Sequence, residues 1–205
     1  MLKVGLTGSI AVGKSYVLSV LAELGCVTFD ADKIAHTVME PGREAYNVIV
    51  REFGNDVLAT DGSIDRGKLG AIVFNDEARR MRLNEIVHPR VKEEQDRLLA
   101  EAEARDRDGI AVIDAALLIE SGGYKRFDKL IVMYCNPETQ IERLVRRNRI
   151  TREDAERRIV AQMPSQEKRR YADFEIDSSG TQEDTRKQVV AVHSQLRALA
   201  LQDRG

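Results

Sequence analysis

The stretch that most limits what this chain can fold into lies within its first 24 residues. Leu2-Lys3-Val4-Gly5-Leu6-Thr7 is an apolar, strand-like run, and Gly8-Ser9-Ile10-Ala11-Val12-Gly13-Lys14-Ser15 follows it directly. The second part has a glycine, four open positions, a second glycine, a lysine and a hydroxyl residue, the pattern of a phosphate-binding loop. A helix-like segment from Ser15 to Leu24 comes next, with Val17, Leu18, Val20, Leu21 and Leu24 at helical spacing. Strand, glycine-rich turn and helix in that order are the setting in which the pattern carries chemistry. Gly8 and Gly13 let the backbone wrap so that successive N–H groups face phosphate oxygens, and the helix N-terminus adds partial positive charge. Lys14 is expected to reach the β- and γ-phosphates, and the Ser15 hydroxyl to ligate Mg²⁺. A nucleoside triphosphate is therefore the expected ligand.

The rest of the chain fits an α/β fold. Cys26-Val27-Thr28-Phe29 reads as a second strand, with Ile110–Ile113, Leu130–Cys135 and Asp173–Ile176 as later ones. Helical patterns alternate with them, which predicts a parallel, right-handed sheet with helices on both faces. Between Pro41 and about Arg105 the pattern is mainly helical: Glu44 to Phe53, Glu77 to Val87 ended by His88-Pro89, and a polar helix from about Arg90. A block this long between strands predicts an inserted acceptor-binding lobe. Asn136-Pro137 opens a helix with proline at its first position, and Thr151 is placed to cap another. The closing helix from Thr181 carries Val189, Val192, Leu196 and Leu199, spaced to pack on the sheet. With 205 residues there is room for one substantial core.

Charge and cysteine usage narrow the function. A net charge of −2 argues against nucleic-acid binding driven by the whole surface, so phosphate recognition must be local. Cys26 and Cys135 each adjoin an apolar run and read as buried free thiols. The N-terminus enters a strand with no signal-peptide pattern, and no apolar run reaches membrane-spanning length. The expectation is a cytoplasmic protein with no membrane partner.

Three sets of charged residues are candidates for chemistry. Asp30 and Asp32 follow the second strand; either can cap the next helix while the other serves catalysis. Asp114 ends the third strand, as a partner of Mg²⁺-bound water or as a cap. From Arg143 to Arg170 the chain is rich in arginine, and most of these side chains read as a solvated, salt-bridged face. Arg143 and Arg147, four apart, share one helix face and can approach a transferring phosphoryl group together. RNA binding by this stretch is a weaker reading, because it lacks interleaved aromatics on which bases stack.

Taken in order, these residues resemble the dephospho-coenzyme A kinase family nearly end to end. The likeness rests on Gly5-Leu6-Thr7-Gly8, Asp30-Ala31-Asp32 with Ile34-Ala35, Glu40-Pro41-Gly42, Phe53-Gly54, Asp61-Gly62-Ser63 and His88-Pro89. It continues through Leu117-Leu118 with Glu120, Pro137-Glu138-Thr139-Gln140 before Arg143, Ala161-Gln162-Met163, and Ile176-Asp177 with Gly180. The resemblance implies a nucleoside-monophosphate-kinase-like fold with a five-stranded parallel sheet. Its core covers about 1–40, 108–140 and 173–205, with an acceptor-binding helical lobe at about 41–107 and a lid at about 141–172. It also implies that ATP phosphorylates the ribose 3′-hydroxyl of dephospho-coenzyme A, with Mg²⁺ as cofactor, in a monomer or weak homo-oligomer.

Residue by residue, Asp32 matches the acid that takes the acceptor hydroxyl's proton, Lys14 the phosphate contact, and Arg147 the lid arginine. Gly8, Ser9, Ile10, Ala11, Val12, Gly13, Lys14, Ser15 and Tyr16 would surround ATP, with Arg143 as a neighbouring basic group. Ser178, Ser179 and Gly180 fall on the loop beside adenine. Thr7, Asp32, His88, Leu117, Leu118 and Glu120 would line the acceptor site. Some positions depart from the family: Ser9, Ala11 and Val12 replace two glycines and a serine, Ala116 a proline, Asn148 an aspartate and Ser179 an asparagine. Other small-molecule kinases share the architecture and remain an alternative. A GTP-driven switch is disfavoured, since no asparagine here precedes a lysine as guanine recognition requires.

Overall fold

β1 (Leu2–Gly8) is buried along nearly its whole length, as a strand with sheet neighbours on both sides must be. The computed structural model describes residues 1–74 and 76–202; Asn75, within the 41–107 stretch, and the last three residues of the 173–205 stretch lie outside. After β1 come α1 (Lys14–Glu23), β2 (Val27–Asp30), α2 (Ala31–Thr37), α3 (Glu44–Phe53), α4 (Arg66–Phe74) and α5 (Glu77–Arg105). Then follow β3 (Ile110–Asp114), β4 (Lys129–Tyr134), α6 (Pro137–Asn148), α7 (Arg152–Val160), α8 (Ser165–Arg169), β5 (Phe174–Asp177) and α9 (Gln182–Gln202).

The strands form one five-stranded sheet in the order β2-β3-β1-β4-β5. β1 runs parallel to β3, with Leu2 opposite Ile110, and to β4, with Gly8 opposite Met133; β4 and β5 are also parallel. After β3 the chain crosses past β1 to continue on its other side. That reversal puts the switch point of the sheet at the carboxyl end of β1, where open α/β sheets bind ligands. Gly8 sits at that end and leads into the loop.

Two compact units make up the chain: Met1–Phe29 with Ala102–Gly205, and Asp30–Glu101. In the first, the core joins Val4 and Leu6 of β1, Val17, Val20 and Leu21 of α1, Ile131 and Met133 of β4, and Ile176 of β5. Val189, Val192 and Leu196 of α9 are buried in the same cluster and Leu199 packs against it, so the expected stripe does face the sheet. Each such side chain contributes about 1.5–3 kcal/mol of burial. Cys26 and Cys135 are free and buried, as expected.

The second unit is helical. α3 buries Ala45, Ile49 and Phe53, while Glu44 and Arg51 place acid and base at the ends that suit the helix dipole. The break expected at His88-Pro89 is absent: α5 runs unbroken from Glu77 to Arg105 with Pro89 inside it. Pro89 has no N–H to give to the carbonyl one turn back, which costs roughly 3 kcal/mol. Local pairs on both sides oppose that loss. Arg82 binds Glu85, Arg90 binds Glu93, and Arg97 holds both Glu94 and Glu101. The hydrogen bond from Arg97 holds the Glu94 carboxyl below its usual range.

Candidate active site

Two glycines shape the loop for different reasons. A Cβ on Gly8 would lie 2.6 Å from the Met133 carbonyl oxygen and 2.9 Å from Val12 Cγ2, so β4 can approach only a glycine there. Gly13 has open space around it but a φ of +86°, the left-handed conformation that glycine adopts without strain. Ala11 takes the same left-handed region at φ 64° without that freedom. With its Cβ, Ala11 therefore holds a small strain in this loop.

Gly13 caps α1 with backbone alone: it offers no side chain to the first-turn N–H groups, and no acid stands in that turn. By contrast α2, α6 and α7 are capped by Asp30, Asn136 and Thr151. Uncapped N–H groups together with the helix dipole favour an anion at this end of α1. Lys14 opens the helix; its Nζ lies 3.4 Å from the Gly8 carbonyl and 3.9 Å from Asp114 Oδ1 at the end of β3. Ser15 beside it is exposed.

Residues far along the chain hold the loop in this shape. The Ile10 N–H donates to Gln162 Oε1 at 2.7 Å, and its carbonyl accepts from Gln140 Nε2 at 2.8 Å. The Ser9 and Ser165 hydroxyls meet at 3.2 Å. Ser178, 3% exposed, donates its hydroxyl to the Val12 carbonyl at 2.7 Å. Arg143 reaches Ser178 twice, by Nη1 to the hydroxyl at 3.2 Å and Nη2 to the carbonyl at 2.8 Å. Ser179 donates to Asp177 at 2.6 Å and accepts from the Asn136 N–H, while Tyr16 donates to the Gln182 carbonyl. Arg143, Ser178, Ser179 and the loop are thus one hydrogen-bonded assembly in the sheet unit.

The basic stretch separates into two kinds of side chain. Arg152 is held by Glu138 and Glu156, Arg157 by Asp154, and Arg169 by Glu175. These form the salt-bridged face expected of them. Arg147 is exposed and its Nε donates to the neighbouring Asn148 side chain at 2.8 Å; among the described residues it forms no ion pair. Arg147 and Arg143 both lie on α6.

Geometry shows which of Asp30 and Asp32 caps the helix. Asp30 Oδ1 accepts from the Asp32 and Lys33 N–H groups at 2.9 and 3.1 Å and caps α2. The Asp32 carboxylate is exposed and takes no part in the cap. His88 is also exposed, on α5 in the helical unit, beside a shallow groove with Met81, Asn84, Glu85 and Pro89.

After β3, Leu117 remains 54% exposed, whereas Leu118 is turned into a small core with Ile119, Leu130 and Val132. Thr7 is fully buried and donates to the Ala116 carbonyl at 3.3 Å. Glu120 is paired with Lys168. Gln140 and Gln162 belong to stretches that the sequence singles out, yet nothing in it says that they grip Ile10. Lys168 reads there as one more solvated base; its burial is a product of the tertiary fold.

Comparison with known proteins places this geometry in a family. The family described as dephospho-CoA kinase matches residues 2–184. A dephospho-CoA kinase of Geobacillus kaustophilus is 48% identical over 200 residues, covering 97% of this chain and 98% of that protein. One from Aquifex aeolicus is 42% identical over 96% of this chain and 98% of its own length. Among solved structures, dephospho-CoA kinase from Campylobacter jejuni superposes with a TM-score of 0.72 at 29% identity, covering 96% of this chain and 97% of its own. With a loop built for a triphosphate and relatives matched over almost their whole length, this chain belongs to the dephospho-CoA kinase family.

Proposed function

We propose that the loop, the acid after β2 and the arginines of α6 together carry the reaction this chain catalyses as a family member, the ATP-dependent phosphorylation of dephospho-coenzyme A to coenzyme A. The acceptor is the ribose 3′-hydroxyl, and ADP leaves. The observation that carries this reading is the uncapped, acid-free start of α1 with Lys14 beside it. In phosphoryl transfer the protein mainly positions the groups and neutralises charge, and these are the groups for that task.

Each residue then has a role. Free N–H groups of the loop and of the start of α1 hold the phosphates, the Ile10 N–H being given to Gln162 instead, and Lys14 follows the charge that develops between the β- and γ-phosphoryl groups. Arg147, unpaired with any carboxylate among the described residues, swings to the γ-phosphate; Arg143 keeps the Ser178–Gly180 loop in place beside adenine. Asp32, freed from capping by Asp30, accepts the proton of the 3′-hydroxyl as that oxygen attacks phosphorus. Leu117 and Glu120 line the acceptor side of the sheet unit, while Thr7, fully buried, holds the Ala116 carbonyl of that turn.

Mg²⁺ suits the donors available. Ser15 and Asp114 offer hard oxygen atoms, and no cluster of three metal-ligating side chains occurs among the described residues. Magnesium ordinarily arrives with substrate phosphates and keeps several waters, so a site with few protein ligands fits it. When bound, the ion neutralises phosphate charge. No described helix is long and apolar enough to cross a membrane, and we assign the enzyme to the cytoplasm, acting on diffusible substrates.

The test is a coupled assay of ADP release over a panel of acceptors. Strong turnover on dephospho-coenzyme A and little on nucleoside monophosphates or sugar acids is expected. Turnover confined to a nucleoside monophosphate would reject the assignment.

A further inference from the structure

Lys168 is the largest side chain with no exposed surface, and none of the roles above uses it. It stands on α8, and its ammonium reaches across to the turn after β3. There Nζ lies 2.8 Å from Glu120 Oε1 and 2.9 Å from the Ala116 carbonyl. Removing a lysine fully from water costs several kcal/mol unless charge and hydrogen bonds are both met. Here a carboxylate meets the charge and two acceptors take two of the three N–H donors.

What Lys168 does to its partners matters more than its own stability. The Met163 N–H also donates to Glu120 Oε1, at 3.4 Å. Both contacts fall on one oxygen, so the carboxylate is anchored from one side while 24% of the side chain stays exposed. Oε2 is the oxygen left for a substrate donor. The Ala116 carbonyl is likewise shared, taking the Thr7 hydroxyl from β1 and the lysine from α8. One buried cation therefore fixes two elements of the turn that carries Leu117 and Glu120.

We propose that Lys168 is a positioning residue for the alcohol substrate: it aims Glu120 so that Oε2 receives a hydrogen bond from a hydroxyl or amide N–H of the acceptor. It touches neither ATP nor the reacting atoms. The proposal rests on the reading of Glu120 as part of the acceptor site. Its signature is a split between substrates. Losing Lys168 weakens acceptor use and leaves nucleotide affinity alone, because the contacts that shape the phosphate loop come from Gln140, Gln162, Ser165 and Ser178 instead.

The experiment compares Lys168→Met, Glu120→Gln and the double variant, with KM for dephospho-coenzyme A at saturating Mg-ATP and ATP affinity by calorimetry. A rise in acceptor KM of at least about fivefold in each single variant is expected, with ATP Kd within twofold of wild type. The double variant should be no worse than the poorer single one, since both substitutions break the same contact. Parallel loss of ATP affinity, an unchanged acceptor KM, or multiplying effects in the double variant would each overturn the assignment. Should Lys168→Met fail to fold, the double variant, which strands no charge, carries the comparison: its acceptor KM must match that of Glu120→Gln. Wild-type enzyme inactive on dephospho-coenzyme A would instead remove the functional reading, so the two failures are separable.

Discussion

Replacing Ser178 with alanine removes one oxygen from the sheet unit and tests whether the loop after β5 props the phosphate loop. The hydroxyl is buried and sits 2.7 Å from the Val12 carbonyl, with the Tyr134 carbonyl 3.1 Å away as a second acceptor. It has a single proton, and the shorter contact to Val12 is the better claimant. In Ser178→Ala that carbonyl loses its donor without gaining water. A buried polar group deprived of its partner costs about 1–3 kcal/mol. Arg143 loses Nη1 contact with the hydroxyl but keeps the 2.8 Å bond from Nη2 to the residue's carbonyl, so its charge is not stranded. The sum is about 2 kcal/mol. Urea unfolding should register most of it. Because Val12 lies inside the loop, part should also appear in Mg-ATP affinity, up to roughly 30-fold if all of it were expressed in binding. Calorimetry at fixed salt reads that number. An unchanged urea midpoint together with an unchanged Kd would show that this hydroxyl does not hold the loop.

Other substitutions test neighbouring steps. Gly8→Ala forces a methyl to within 2.6 Å of the Met133 carbonyl, on backbone that cannot withdraw without opening the β1–β4 pair. We expect about 3 kcal/mol of destabilisation by denaturant titration, and a wild-type midpoint would contradict that close approach. Ala11→Gly relieves about 1–2 kcal/mol of left-handed strain but gives up about 0.8 of methyl burial and roughly 0.7 of chain entropy. Those figures nearly cancel, so stability should stay within about 0.5 kcal/mol of wild type; a shift above roughly 1.5 either way would show that one figure is wrong. Asp32→Asn should abolish most turnover while Mg-ATP binds as before, whereas Lys14→Ala should slow turnover roughly 10²- to 10³-fold. Retained turnover in Asp32→Asn would remove its role as base. Burial pushes the Cys26 thiol up to about 11, against an ordinary value of 9.0. Its contribution to stability is therefore full below pH 9 and fades as pH rises toward 11, and labelling by iodoacetamide at pH 8 should be slow in the folded protein. Rapid labelling of Cys26 there would contradict its burial.

What could be read from the sequence, and what could not, divides by the range of the forces involved. The phosphate loop is legible because backbone geometry demands glycine at Gly8 and Gly13 and chemistry demands Lys14 and Ser15, all within eight positions. Helix caps at Asn136 and Thr151 are equally local, and both form. The capping of α2 leaves two aspartates open in the sequence, since Asp30 and Asp32 have the same chemistry; only the backbone of α2 shows that Asp30 is the one turned to the N–H groups. Pro89 misleads for a different reason. Its local penalty is real, but ion pairs distributed along α5 and burial of residues such as Ile86 and Val87 act on the same segment and prevail.

The contacts that fix the loop lie at the far end of that scale. Ile10 is bound by side chains 130 and 152 positions away, and Val12 by one 166 away. Gln140, Gln162 and Ser178 lie in stretches that the sequence singles out, but no local pattern says that they brace the loop. Lys168 is harder still, because its composition-level neighbours, Arg169 and Arg170, do read as solvated bases. What distinguishes it is that α8 packs with its lysine inward, toward a carboxylate that stands 48 positions earlier. A loop of eight residues, two of them glycines and one an alanine, has few side chains with which to hold its own shape. The braces must therefore come from elsewhere in the fold, where the sequence gives least notice of them. Variants at Gln162 and Ser178 are accordingly the ones whose effects best separate a loop that merely contains the right residues from one that is held ready to use them.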